Sequence, residues 1–384
     1  MPYDFDTVID RRGTDSVKWN VEAHELPMWV ADMDFPAAPE IRAALQKKLD
    51  HGIFGYSIVP DGWYDAYIRW WRDRHGLTME RGWLQFCAGI VPAVSSLVRT
   101  LTAPGECVVL QTPVYNAFFH CVLDNSRRVS ESPLIYRDGV YDMDLDDLER
   151  AFSEPQTTLF LLCNPHNPTG NLWDHETLAR VGELAKQYGV TVISDEIHCD
   201  LTAPGRGYVP FFTVSEVCRE VGVSCLAPSK AFNLAGLQTS AVCAAEPALR
   251  ERVRHALSLD GLTMPNGFAC AAAEAAFNEG GPWLDALREY VFENRRLAED
   301  FIDRELPHLR AVRADATYLL WLGLPEGSRG AAERLRRETG LFVTDGAIYG
   351  ENGASFLRVN LACPRTLLLD GLERLRQGEA RGLL

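Results

Sequence analysis

Four short apolar runs punctuate the middle of the chain: CVVLQ (107–111), TLFLLC (158–163), VTVIS (190–194) and VSCLA (223–227). Each is rich in β-branched or large aliphatic residues and ends near a polar or proline-bearing turn. Runs that are apolar at every position, rather than at alternate ones, predict strands buried on both faces of a mainly parallel sheet. Between two of them, DHETLARVGELAKQYG (174–189) repeats its apolar residues at helical spacing, with Asp174 placed to cap the start and Gly189 to stop the end. The repeated β-α-β pattern predicts an α/β fold whose parallel sheet is flanked by helices. Ligands in such sheets bind beyond the carboxyl ends of the strands, which directs attention to Tyr115, Asn167, Asp195, His198 and Lys230.

The texture changes after about residue 280. WLDALREYVFENRRLAEDFIDREL (283–306) reads as one long amphipathic helix. RADATYLLWLGL (313–324) and GASFLRVNLACPR (353–365) read as strands around an arginine-rich helix at 331–338. The expected organisation is a large domain over 48–282 and a smaller α+β domain made of 1–47 plus 283–384. Neither repeats nor low-complexity segments interrupt it.

Composition adds exclusions. With 384 residues, 47% hydrophobic and 24% charged, the chain has the balance of a globular protein. A chain of this length can bury about three quarters of its unfolded surface. Its net charge of −15 repels phosphate backbones, so no nucleic-acid partner is expected. No apolar run is long enough for a membrane span, and the first residues lack the basic and apolar regions of a secretory signal. The ten cysteines form no C-x-x-C pair and lie mostly in apolar surroundings, the usage of a reduced, cytoplasmic protein. His198 and Cys199, with Asp195 and Glu196, match no familiar zinc spacing, and no metal is expected.

One lysine stands out. Lys230 follows a serine within CLAPSKAFNLAGLQTSAV (225–242), an otherwise mostly apolar stretch. Alone, it reads more readily as a surface lysine at a strand-to-helix turn than as a reacting amine. Its companions decide between the readings. NPHNPTG (164–170), SDEIH (194–198), SKAFN (229–233) and FLRVN (356–360) occur in that order. Together they resemble the fold-type I pyridoxal-phosphate enzymes of the class I/II aminotransferase superfamily, which have an aspartate aminotransferase-like fold. LPMWVADMDF (26–35) and FGYS (54–57) narrow the resemblance to the MalY/PatB-type cystathionine β-lyases, a C–S lyase branch.

That resemblance implies pyridoxal 5'-phosphate held covalently by the Lys230 amine, which attacks an aldehyde only when unprotonated. It implies that Asp195 pairs with the ring nitrogen, where unit charges about 4 Å apart are worth roughly 4 kcal/mol at an effective dielectric of 20. Asn167 would donate to the ring hydroxyl oxygen, Tyr115 would stack on the ring, and His198 would sit behind it. The helix start at Gly89, Ile90 and Val91 would offer main-chain amides to the phosphate, joined by the Ser229 hydroxyl. Tyr56 would reach the phosphate of a neighbouring subunit, so that a homodimer completes each site. Arg358 would clamp the α-carboxylate of an amino-acid substrate, with Trp29 and Asp32 near the substrate side chain. Two positions depart from the wider superfamily: Ala227 and Gln238 stand where many relatives carry a hydroxyl residue and an arginine, leaving fewer phosphate contacts.

The implied reaction is α,β-elimination of L-cystathionine, or a related cysteine S-conjugate, to a thiol such as homocysteine, pyruvate and ammonia. Lys230 would take the α-proton, and Lys230 or a tyrosine, Tyr115 or Tyr56, would protonate the departing sulfur. An aminotransferase of the same fold is the first alternative. A regulatory protein that binds a transcription factor is the second.

Overall fold

A computed structural model describes residues 3–384. Seven strands form the central sheet, in the spatial order Leu84–Cys87, Ser240–Cys243, Gly222–Leu226, Thr191–Asp195, Thr157–Cys163, Cys107–Leu110 and Arg128–Glu131. Only Ser240–Cys243 runs antiparallel to its neighbours. The four apolar runs of the sequence are the four consecutive inner parallel strands or begin within one residue of them.

Side-chain parity explains why these strands are apolar throughout. Successive residues of a strand point to opposite faces. Phe160, Leu162, Val192, Leu226 and Val109 enter a core on one face. Leu159, Leu161, Ile193, Cys225 and Val108 enter a second core on the other face, with the helix Ile90–Leu101 and the helix Pro247–Leu259. Each face is roofed, so neither can be polar. The helix expected over 174–189 spans His175–Tyr188; the Asp174 carboxylate accepts from the Thr177 N–H, and Gly189 closes it at φ 70°.

The second layer is an antiparallel four-stranded sheet in the order Arg310–Ala311, Leu319–Gly323, Phe356–Asn360, Thr344–Asp345. Leu320, Leu322, Leu357 and Val359 face a third core with the end of the long helix Gly281–Glu305 and the helix Arg365–Ala380. Alternate residues, including Arg358 and Asn360, are therefore turned toward the large sheet. The N-terminal segment is stitched to this layer where Leu26–Pro27 pairs in parallel with Leu341–Phe342. We propose the two-domain division expected from the sequence as the working description; the helix Pro39–His51 straddles its first boundary, and its buried Ile41 joins the large-sheet core. No helix of the described residues is long and apolar enough to cross a membrane.

Candidate active site

The carboxyl ends of the parallel strands open onto one cleft, roofed by the small sheet and by residues 29–35. Asp195 ends its strand in register with Cys163 and Cys225. Its carboxylate is 4% exposed and accepts one long hydrogen bond, from the Ile197 N–H at 3.4 Å. Burial with so little compensation raises its pKa to about 7, against the opposing pull of that N–H and of Lys230. Glu196, one residue on, faces the other way. It accepts from Ser194 Oγ at 2.8 Å, the Phe211 N–H at 3.0 Å and Tyr208 Oη at 3.3 Å. Strand parity thus gives two adjacent acids different work: Glu196 is tied into the core, while Asp195 is left wanting a cation.

Lys230 lies just past the strand Gly222–Leu226 and is half-buried. Its amine donates to the Ala31 carbonyl at 2.9 Å. Burial, then the nearby Arg358 guanidinium, lower its pKa to about 8; Asp32 and Asp195 oppose them. About a tenth of the amine is therefore neutral at pH 7, far more than an ordinary lysine offers, and a nucleophilic amine needs that form.

Arg358 crosses from the small sheet. Its Nη2 donates to the Trp29 carbonyl at 2.8 Å and its Nη1 to Asn167 Oδ1 at 3.2 Å, while its buried Nε has no partner. Because Asn167 accepts through Oδ1, its Nδ2 remains a donor, as a ring hydroxyl oxygen requires. Tyr115 is partly buried beside Phe118, its ring 5.8 Å away, and its hydroxyl pKa is raised by burial. His198 is buried with Nδ1 unpartnered, and burial holds its pKa well below the usual imidazole value, so it is neutral. Gly89, at φ 110°, starts the helix Ile90–Leu101. That conformation suits glycine. Pro92 has no N–H and the Ala93 N–H returns to the Gly89 carbonyl at 3.3 Å, so Ile90 and Val91 supply the free amides. Ile90 itself is buried, and Val91 is partly exposed. Ser229 is half-buried beside Lys230. Ala227 is fully buried, and Gln238 is exposed in a left-handed turn at φ 51°.

Tyr56 is not brought to this cleft by its own chain. It is 97% exposed and lines a separate groove of about 850 Å³ with Lys47, His51, Phe54 and Glu274, flanked by exposed Ile53 and Ile58. His198 and Cys199, neighbours in sequence, part in the structure: the His198 ring lies beside Tyr318, whereas Cys199 comes within 4.8 Å of His75 and Asp200. There Asp200 already accepts from Trp70 Nε1 at 3.0 Å and lies 2.8 Å from His75 Nε2, so hydrogen bonds account for the cluster. All ten cysteines are free.

The segment 29–35 holds what the sequence did not reveal. Asp32 is committed to Arg11, at 2.9 Å, and lies 3.6 Å from the buried Lys18; Lys18 bonds Asp34 at 2.6 Å. Trp29 stacks on Phe342 at 4.8 Å and donates to the Lys18 carbonyl. Asn360 Nδ2 donates to the carbonyls of Val30 and Asp32, Asn233 pairs with the main chain of Met33, and Tyr318 bonds Ala31. The contacts of Asn360, Asn233 and Tyr318 join residues roughly 200 or more apart in sequence, so no local motif signals them.

The donor set fits pyridoxal phosphate on three counts in this structure: a buried, nearly unpaired carboxylate for a protonated ring nitrogen, an asparagine with its donor free, and a lysine of lowered pKa in the same cleft. The family model for aminotransferase class I and II matches residues 30–375. The chain is 42% identical to cystathionine β-lyase PatB of Bacillus subtilis over 97% of this chain and 98% of that one. It is 33% identical to the protein MalY of Escherichia coli over 96% and 97% of the two chains. The structure superposes on cystalysin from Treponema denticola, which contains a pyridoxal 5'-phosphate cofactor, with a TM-score of 0.96 and 31% identity, covering 99% of this chain and 100% of that one.

Proposed function

The chain belongs to the family of class I and II aminotransferases, and from that premise we propose that it is a pyridoxal-phosphate-dependent carbon–sulfur β-lyase. Its substrate is L-cystathionine or a related cysteine S-conjugate. The observation that carries this reading is the near full-length similarity to a cystathionine β-lyase, combined with Lys230, Asp195, Asn167 and Arg358 converging on one cleft.

Bound there, pyridoxal phosphate supplies an electron-withdrawing ring that makes the substrate Cα–H acidic. Asp195 would hold the charge on its ring nitrogen, and Asn167 would steady its ring hydroxyl. The Arg358 fork, already aimed by Trp29 and Asn167, takes the α-carboxylate and fixes which bond of Cα faces Lys230. Lys230 Nζ accepts the α-proton. The Cβ–S bond breaks with its electron pair going to sulfur, which takes a proton from Lys230 or Tyr115. The enamine left behind hydrolyses to pyruvate and ammonia. Incubation of the loaded protein with L-cystathionine and no keto acid should release pyruvate and thiol in equal amounts. A requirement for an added keto acid would instead assign transamination.

We also propose a cytoplasmic homodimer in which Tyr56 completes the partner's site. The exposed apolar run of Ile53, Phe54, Tyr56 and Ile58 supports an interface on this face. Mixing two inactive variants, Lys230→Ala and Tyr56→Ala, should then restore about a quarter of wild-type activity. Half of the dimers are mixed, and each of those has one intact site in two. No recovery after subunit exchange would show that Tyr56 does not serve a partner.

A further inference from the structure

Tyr318 has no role in the chemistry described so far, yet its hydroxyl reaches the cleft. It is 1% exposed and follows Thr317, whose φ of 65° is a strained conformation for a β-branched residue. The surroundings hold that turn in place. The Thr317 N–H donates to the Leu201 carbonyl at 2.7 Å. Arg295 Nη2, from the long helix, donates to the carbonyls of Leu319 at 2.7 Å and Thr317 at 3.4 Å. The turn delivers the Tyr318 ring to within 6.3 Å of His198 and its hydroxyl to 2.9 Å from the Ala31 carbonyl. Lys230 Nζ donates to that same carbonyl, also at 2.9 Å. A carbonyl oxygen has two lone pairs, and both are taken.

We propose that Tyr318 is a positioning residue for Lys230, acting through the Ala31 carbonyl that the two side chains share. By occupying one lone pair, Tyr318 fixes where the free amine rests. It also weakens the carbonyl as an acceptor, and an ammonium gains more from an acceptor than a neutral amine does. Tyr318 thus keeps the amine available rather than held as a cation. The charged and titratable groups facing Lys230 are Arg358 from the small sheet, Asp32 from the segment 29–35, and Asp195 and His198 from the large sheet and the turn after it. They are unchanged in the variants below.

The inference rests on Lys230 being the reacting amine, but its test uses neither cofactor nor substrate. A failure of that underlying reading would appear separately, as lost attachment of cofactor to Lys230. Cofactor-free, full-length protein is labelled with limiting acetic anhydride between about pH 6 and 10, and acetylation of Lys230 is followed by peptide mass spectrometry. Tyr318→Phe, which keeps the ring and loses the hydroxyl, should raise the midpoint by about 0.5–1 pH unit, the order expected for one changed hydrogen bond to a charged group. Encoding 3-fluorotyrosine at 318, a stronger donor, should move the midpoint down. Thr344→Val removes a different tie to the same segment, the 3.0 Å bond to the Trp29 carbonyl, and should leave the midpoint in place. Unchanged or same-direction midpoints in both Tyr318 variants would overturn the proposal. An equal rise in Thr344→Val would also overturn it, by assigning the effect to a loosened segment.

Discussion

Replacing Lys230 with alanine is expected to lower pyruvate formation from L-cystathionine by at least about 10⁴-fold, while leaving the fold intact. General-base catalysis alone contributes about 10²–10⁴-fold, and Lys230 carries the covalent hold on the cofactor as well. No other group in the cleft can replace it. His198 is neutral but buried, Tyr115 has a raised pKa, and the Arg358 guanidinium offers only N–H donors. The fold should tolerate the change because the lysine is half-buried and its amine makes one bond, to the Ala31 carbonyl. Added methylamine should recover part of the rate by supplying a mobile base. Unchanged turnover in the alanine variant, with matching circular dichroism, would remove Lys230 from the chemistry.

The second large effect combines a loss of activity with a gain in stability. Asp195→Asn should reduce turnover by about 10²–10³-fold, because the ring nitrogen loses the anion that keeps it charged. The same change should stabilise the cofactor-free protein. Asp195 has a folded-state pKa of about 7, above the ordinary 3.8 of the unfolded chain. The folded state therefore holds the extra proton between those values, and stability from this group falls as pH rises from about 4 to 7. Asparagine carries no such penalty. At pH 8 the gain should be a few kcal/mol at most, since each pH unit between the two values is worth about 1.4 kcal/mol, and it should vanish near pH 4. Adding pyridoxal phosphate should reverse the order of melting temperatures, because wild type alone offers the buried anion. Chemical denaturation at the two pH values, with and without cofactor, checks both signs.

Much of this was legible in the sequence because the chemistry sits where local patterns end. Asp195, Asn167 and Lys230 each follow an apolar run, and a strand buried on both faces forces its polar successor into the crevice. Arg358 was legible through FLRVN, where period-two alternation turns it away from the core that receives Leu357 and Val359. The pairing of Tyr318 with Ala31, 287 residues apart, leaves no such trace. Nor does the network of Lys18, Asp34 and Arg11, in which Lys18 and Asp34 are buried and Arg11 is partly exposed. One chain alone leaves Tyr56 in solvent, and the work expected of it from the sequence depends on a second copy.

The most direct test is borohydride reduction of freshly purified, cofactor-supplemented protein, followed by peptide mapping. The account predicts one pyridoxyl group per chain, on Lys230. A label on any other lysine, or none at all, would contradict it.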